Sequence, residues 1–472
     1  MPPRIVTISD HVDCPTGFGV QHRLLACALA RAGYEVHSLG LWDPRPLAAV
    51  PVDRGEPAAA QAASPIPHPA IYFTRYPGGL GVEDHRKAWR MYRDLLRPDL
   101  VVTLGDLEMF THLNDAPHRP FAWCHWLPLD ALPYPAAQHQ RMLRYDHLVL
   151  MSHFALQLVR PHLEGRVPLH YIPHGVDTRL FRPHEDPLAL RRRWGRRLGV
   201  ELRPDDFLLI ARDANQWRKQ QPLLLQTLAK LPRDIKLILH CRPIAHPRAN
   251  GWHLPRVAHI LGVADRVIFT SPVRSAGLCP SSAREQPDAS EGLRPEGRTT
   301  NTLTPAELAE LDNAADLRVS ATTGEGFGII TIEAMACGTP TLITDYTTSR
   351  ELILGTADGG SRIPHDQTTN GAAPPDASIR TQHPAPRNQL DPFGPAGELL
   401  RPAAWTIEQR RHLFRPLIDT DELAARILAL RADPARLARY AAAGIRRVLA
   451  AYTTQHVARA WAALVRTILT DP

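Results

Sequence analysis

Two carboxylates and a basic pair carry the chemistry this sequence can do. Glu325 lies in ATTGEGFGIITIEAMACGTPTLITD, residues 321–345, and Glu333 follows it with seven residues between. Gly324, Gly326 and Gly328 surround the first carboxylate. Without a Cβ, such glycines let backbone N–H groups approach an anion, and a helix N-terminus adds its positive dipole end. A carboxylate beside a phosphate site repels the phosphate, so Glu325 and Glu333 are expected to face hydroxyls of a sugar or a ribose. Upstream, Asn215, Arg218 and Lys219 stand in RDANQWRKQQ, residues 212–221. Cations at a strand's carboxyl end, just ahead of a helix N-terminus, suit a clamp on a departing diphosphate. The competing readings are an ordinary helix start with acids nearby and a basic surface turn.

These side chains need elements to hold them. Leu317–Ser320 is a short buried-strand pattern, Ile329–Cys337 is helical in pattern, Gly338 stops the helix, and Thr341–Thr344 starts the next strand. Strand, glycine loop, helix and strand make a nucleotide-binding α/β unit. Asp206–Ala211 reads as a strand ahead of the basic turn. The chain opens similarly, with strand Arg4–Ser9, a turn-rich loop carrying Gly17 and Gly19, and amphipathic helix Val20–Arg31. That loop is too short for the dinucleotide fingerprint, and no acid ends the second strand, so NAD binding is not expected. The loop is either a plain turn or a backbone cradle reaching toward a diphosphate. Strands Leu100–Leu104 and Phe121–Trp126 lead to Asp106, His125 and Asp130, which would line an acceptor side at strand carboxyl ends. For His125, beside two tryptophans, a packed core position is the competing reading.

The string GEGFGIITIEAMACGTPTLITDYTTSREL resembles the donor-site signature of the retaining family-4 glycosyltransferases. Asp345, Glu351 and Leu352 stand where that family has an acidic residue and a Glu-Leu pair, and LHYIPHGVDTRLF, residues 169–181, is similar to its domain junction. Asn215, Arg218 and Lys219 match its Asn-x-x-Arg-Lys, but the arginine many members carry just before the asparagine is Ala214 here, with Arg212 two residues earlier. The resemblance implies a GT-B fold: two Rossmann-like parallel-sheet α/β domains facing across a cleft, with a C-terminal helix returning to the first. It implies a retaining, metal-independent sugar transfer from a nucleotide-diphosphate sugar to an acceptor hydroxyl. Lys219, Arg218 and Glu325 would be catalytic. Gly17, Gly19, Asn215, Gly326, Phe327, Gly328, Ile329 and Glu333 would complete the donor site. The acceptor, whether sugar, lipid or glycan, is left open. Two other readings stand beside it: a nucleotide-sugar-binding protein without transfer, and a glycoside hydrolase using Glu325 and Glu333 as its acid/base pair.

At 472 residues, with 44% hydrophobic and 22% charged residues, the chain can fill two cores. The expected division is 1–180, 181–451 and a returning helix at 452–472, with flexible insertions at 277–300 and 355–402. The net charge of +7 favours an anionic ligand or contact with an acidic membrane surface. The Arg-rich run within 188–197 reads as a solvated face. No aromatic-rich basic platform for nucleic acid appears. The six cysteines form no CxxC pair, no metal motif stands out, the N-terminus starts a strand with no room for a signal peptide, and no apolar run is long enough to span a bilayer. A cytoplasmic enzyme, peripheral at the inner membrane face at most, is the expectation.

Overall fold

The computed structural model describes residues 2–43, 50–51, 71–77, 82–113, 119–134, 136–245, 250–271, 303–355, 392–408 and 412–470. The expected insertion 277–300 and most of 355–402 lie outside the described residues. The end of the second does not: Gly397–Leu400 is a buried strand that completes a sheet. Its four residues are too short a run to show a period, which is why the sequence reads there as patternless.

The first lobe is built on β1 (Arg4–Asp10), β2 (Glu35–Asp43), β3 (Val50–Pro51), β4 (Ile71–Pro77), β5 (Leu100–Leu104), β6 (Ala122–Leu127), β7 (His147–Leu150) and β8 (Leu169–Tyr171). Their spatial order is β3-β4-β2-β1-β5-β6-β7-β8, and every pair is parallel except β3 with β4. The second lobe holds β9 (Phe207–Ala211), β10 (Ile235–Leu239), β11 (Val267–Phe269), β12 (Leu317–Ser320), β13 (Thr341–Thr344) and β14 (Gly397–Leu400), ordered β11-β10-β9-β12-β13-β14 and all parallel. An antiparallel hairpin, β15 (Pro402–Ile407) with β16 (Phe414–Ile418), belongs to neither sheet. No sequence signal marks it.

Strand order reverses at β1/β5 in the first sheet and at β9/β12 in the second. In open parallel sheets ligands bind outside the carboxyl ends of strands at such points. The loop after β9 carries Lys219 and the loop after β12 carries Glu325, so pairing of β9 with β12 brings them side by side.

The junction between the lobes is packed. Helix Thr454–Thr470 buries Val457, Trp461, Val465 and Ile468, with Leu464 packed at the edge of the same cluster. Its entry is fixed by backbone bonds between Val176 and the Tyr452–Thr454 turn. Trp461 meets Trp126 of β6 edge to face at 5.1 Å between centroids. Phe327 of the second lobe packs on Tyr452 and His174, and Phe327, Tyr452, Trp126 and Trp461 join one apolar cluster with Leu25, Ile332 and Ile343. The basic run is helix Pro187–Leu198, and one of its arginines corrects the expected solvated face. Arg191 is buried and donates to the carbonyls of Ala314 and Asp206 and to Asp316, because it covers open strand ends of the sheet.

Candidate functional site

The basic turn folds onto the glycine loop. After β9 a single 3-10 turn, Trp217–Lys219, ends at Gln220 with φ +50, ahead of helix Gln221–Ala229. Thr323 N–H donates to the Arg218 carbonyl at 2.7 Å, and Arg218 Nη1 donates to the Gly324 carbonyl at 2.9 Å. Lys219 Nζ donates to Asp213 at 3.0 Å and forms a short ion pair with Glu325, which lies 106 residues away. Arg218 Nη1 lies 3.8 Å from the same glutamate. Lys219, Arg218 and Glu325 are therefore one cluster, with Lys219 buried and Arg218 and Glu325 partly exposed.

Asp213 was not singled out by the sequence. It is 2% exposed and receives the Ser320 hydroxyl at 2.9 Å, with Arg318 at 3.8 Å. Burial alone would raise its carboxyl, but Lys219 and Arg318 overcome that and hold it well below the usual range. It is the fixed counter-charge of Lys219.

Glu333 leads to a second buried group. Arg212 donates to both oxygens of Asp312, at 2.9 and 2.7 Å, and to Glu333 at 2.8 Å. Burial raises the Glu333 and Asp312 carboxyls, and Arg212 pulls both the other way. Arg212 thus holds Glu333 and Asp312 together. Glu325 and Glu333 are held by different cations, Lys219 and Arg212.

The glycine loop is clamped from behind by two residues the sequence reading passed over, although they stand in the signature string. Thr347 Oγ1 accepts from Glu325 N–H at 3.1 Å and donates to its carbonyl at 3.0 Å, and Thr348 donates to the Phe327 carbonyl at 2.7 Å. Gly328 at φ +97 precedes helix Ile329–Cys337. Phe327 is buried in the junction, where its ring packs on His174 and Tyr452 and supports the loop.

Other expected residues fall elsewhere. Asn215 is committed to structure: its amide donates to the carbonyls of Arg242 and Trp252 at 3.0 and 2.7 Å and accepts from Trp252 N–H at 2.9 Å. The first-lobe helix starts at Gly17, three residues earlier than expected, because Thr16 caps it. The Gly19 N–H is therefore spent on the Thr16 hydroxyl at 3.0 Å. Gly17, at the first helical position, faces the donor-side helix; a Cβ there would lie 3.7 Å from Ile329 Cγ2. His125 corrects the acceptor-side expectation. It is fully buried, hydrogen-bonded to Thr103 at 2.7 Å, stacked on Tyr145, and pushed down to about 3 by burial. Asp106 sits half-buried at the end of β5. Asp130 touches the second lobe, as described below. Among the described residues no group of three or more His, Cys, Asp or Glu is placed to hold a metal, and no helix is long and apolar enough to cross a membrane.

The family described as glycosyl transferases group 1 matches residues 276–372. The chain is similar to the sucrose-phosphate synthase of Thermosynechococcus elongatus, with a TM-score of 0.65, 18% identity and 100% of each chain covered. It is similar to Anabaena Alr3699/HepE, solved in complex with UDP and glucose, with a TM-score of 0.60 and 14% identity over 98% of this chain and 100% of that one. At these identities the likeness shows the fold, which is the two-lobed GT-B arrangement. In sequence the chain is 28% identical to the D-inositol 3-phosphate glycosyltransferase of Mycobacterium marinum over 186 residues, 39% of this chain. That match spans 32% of the relative's length.

Proposed function

We propose that this chain is a retaining glycosyltransferase that moves a sugar from a nucleotide-diphosphate sugar to an acceptor hydroxyl without a metal ion. One observation carries the reading: Lys219, Arg218 and the Gly324–Gly328 loop converge with Glu325 at the switch point of the second sheet. The group 1 match over this loop and the UDP and glucose seen in HepE support it.

Breaking the anomeric bond leaves an oxocarbenium-like sugar and a diphosphate. Lys219, Arg218, the helix start at Gly328 and the helix start at Gly17 would take up that charge. Lys219 is now paired with Glu325. A phosphate on the same nitrogen would displace that carboxylate and free it for the sugar hydroxyls, while Asp213 retains the ammonium. Glu333, oriented by Arg212, would hold the ribose hydroxyls. The acceptor oxygen then bonds to the anomeric carbon on the face the phosphate leaves, and its proton passes to the departing phosphate oxygen. Both carboxylates position the donor and neither acts as nucleophile.

A thermal-shift panel of nucleoside diphosphates and nucleotide sugars tests the reading, because a ligand that binds only the folded form raises the melting temperature. NMR of the product from the strongest donor should show retained anomeric configuration, with turnover unchanged by a chelator. Inverted product, or hydrolysis of a simple glycoside without nucleotide, would refute it. Donor binding with no product across many acceptors would favour a binding protein.

A further inference from the structure

The hairpin β15–β16 lies outside both sheets, yet its second strand carries a deeply buried cation: Arg415 is 2% exposed. A buried guanidinium is costly unless paired and fully hydrogen-bonded. Its partners come from three places. Glu408 of the same hairpin accepts from Nε at 2.9 Å and Nη2 at 2.7 Å. The carbonyl of Thr323, in the loop that carries Glu325, accepts from Nη1 at 3.3 Å. Asp130, in the first-lobe loop after β6, accepts at its carbonyl from Nη1 at 2.8 Å and at its carboxylate from Nη2 at 3.3 Å. One planar side chain therefore binds the donor-side loop and the opposite lobe together.

Neighbouring contacts agree with it. Phe414 N–H donates to the Leu132 carbonyl at 2.6 Å, Leu132 N–H donates to the Tyr346 hydroxyl at 2.8 Å, and that hydroxyl donates to the Phe414 carbonyl at 2.7 Å. A Cβ at Gly324, which has φ +145, would run into the Asp130 carbonyl, and one at Gly326 would lie 2.6 Å from Pro128 Cβ. Backbone meets backbone across the lobes, an approach that only glycine permits.

We infer that Arg415 and Asp130 are positioning residues that hold the first-lobe loop 128–132 in register with the Thr323–Gly326 loop, assembling the transfer site across the lobes. The docking stands on these contacts; its effect on catalysis rests on the sugar-transfer reading. Asp130 is then a strut between lobes and does not bind the acceptor. Without the guanidinium, Glu408 and Asp130 lose the cation they share, and their mutual repulsion favours separation of the lobes.

Hydrogen exchange on the full chain separates docking from local support. In Arg415→Ala, exchange should rise about tenfold or more in peptides covering both 128–134 and 323–327, while strands β5 and β9 keep wild-type protection. Asp130→Ala leaves the hairpin chemically intact and should raise exchange at 323–327 as well, and Arg415→Lys should fall between. A rise confined to 402–418, or no change at 323–327 in Asp130→Ala, overturns the inference. In turnover, kcat should fall about tenfold or more in both alanine variants with nucleoside diphosphate Kd within about threefold of wild type. Equal losses in kcat and Kd would reduce Arg415 to a prop for the donor loop. A wild-type protein inactive with every donor would refute the transfer reading and leave the exchange result standing.

Discussion

Lys219 shows how burial and charge divide the work among single residues. Its ammonium sits between Asp213, which stays, and Glu325, which a diphosphate would displace. Arg212 plays the matching part below Glu333, with Asp312 as its anchor. Arg212→Ala would leave the buried Asp312 and the partly buried Glu333 without their cation, and urea denaturation should show a loss of about 3–5 kcal/mol. The candidate residues Lys219, Arg218 and Glu325 could be singled out in the sequence because a glycine-flanked acid and a basic pair before a helix match the donor-site signature, and the fold brings them together. Their supports could not. Asp213 and Asp312 look like any acid until the fold shows which cation faces them, and Arg415 binds a residue 285 positions away.

At the level of elements, the glycine loop is set by what lies against it. Gly324→Ala combines a positive φ with a collision at Asp130, so a stability loss of about 1–3 kcal/mol is expected in thermal melts, with a larger proportional loss of turnover. Helix Ser349–Leu354 makes a second contact across the lobes. Buried Glu351 accepts from Tyr171 Oη and from His153 N–H, each at 2.8 Å. Burial raises its carboxyl to about 7, against those hydrogen bonds. A carboxyl whose folded pKa is raised binds a proton more tightly folded than unfolded. Its contribution is full below the unfolded value and is lost as pH rises through about 7. Compared with Glu351→Gln, wild type should therefore lose about 2.5 kcal/mol of relative stability between pH 5 and pH 8. The buried histidines are common to both proteins and cancel. A constant difference across that range would show that Glu351 stays ionised. The strands and helices beside the site were readable from period and caps. The Thr16 cap that draws Gly17 into the helix was not, since a threonine before two glycines fits a loop equally well.

Across the whole molecule, two parallel sheets meet with their switch points facing, tied by the Trp126–Trp461 contact, the Glu351 contact and the Arg415 hairpin. The βα units were legible from their own patterns, whereas the two-lobed plan and the returning helix came from the family resemblance. How closely the lobes meet was not legible, because that depends on pairs hundreds of residues apart. The most direct test is kcat of Lys219→Ala against wild type at saturating nucleotide sugar, with folding checked by circular dichroism. A fall of at least about a hundredfold is expected, since one preorganised contact to a developing anion contributes about 3 kcal/mol. Turnover within a few-fold of wild type would contradict the account, because the leaving diphosphate would then be stabilised elsewhere.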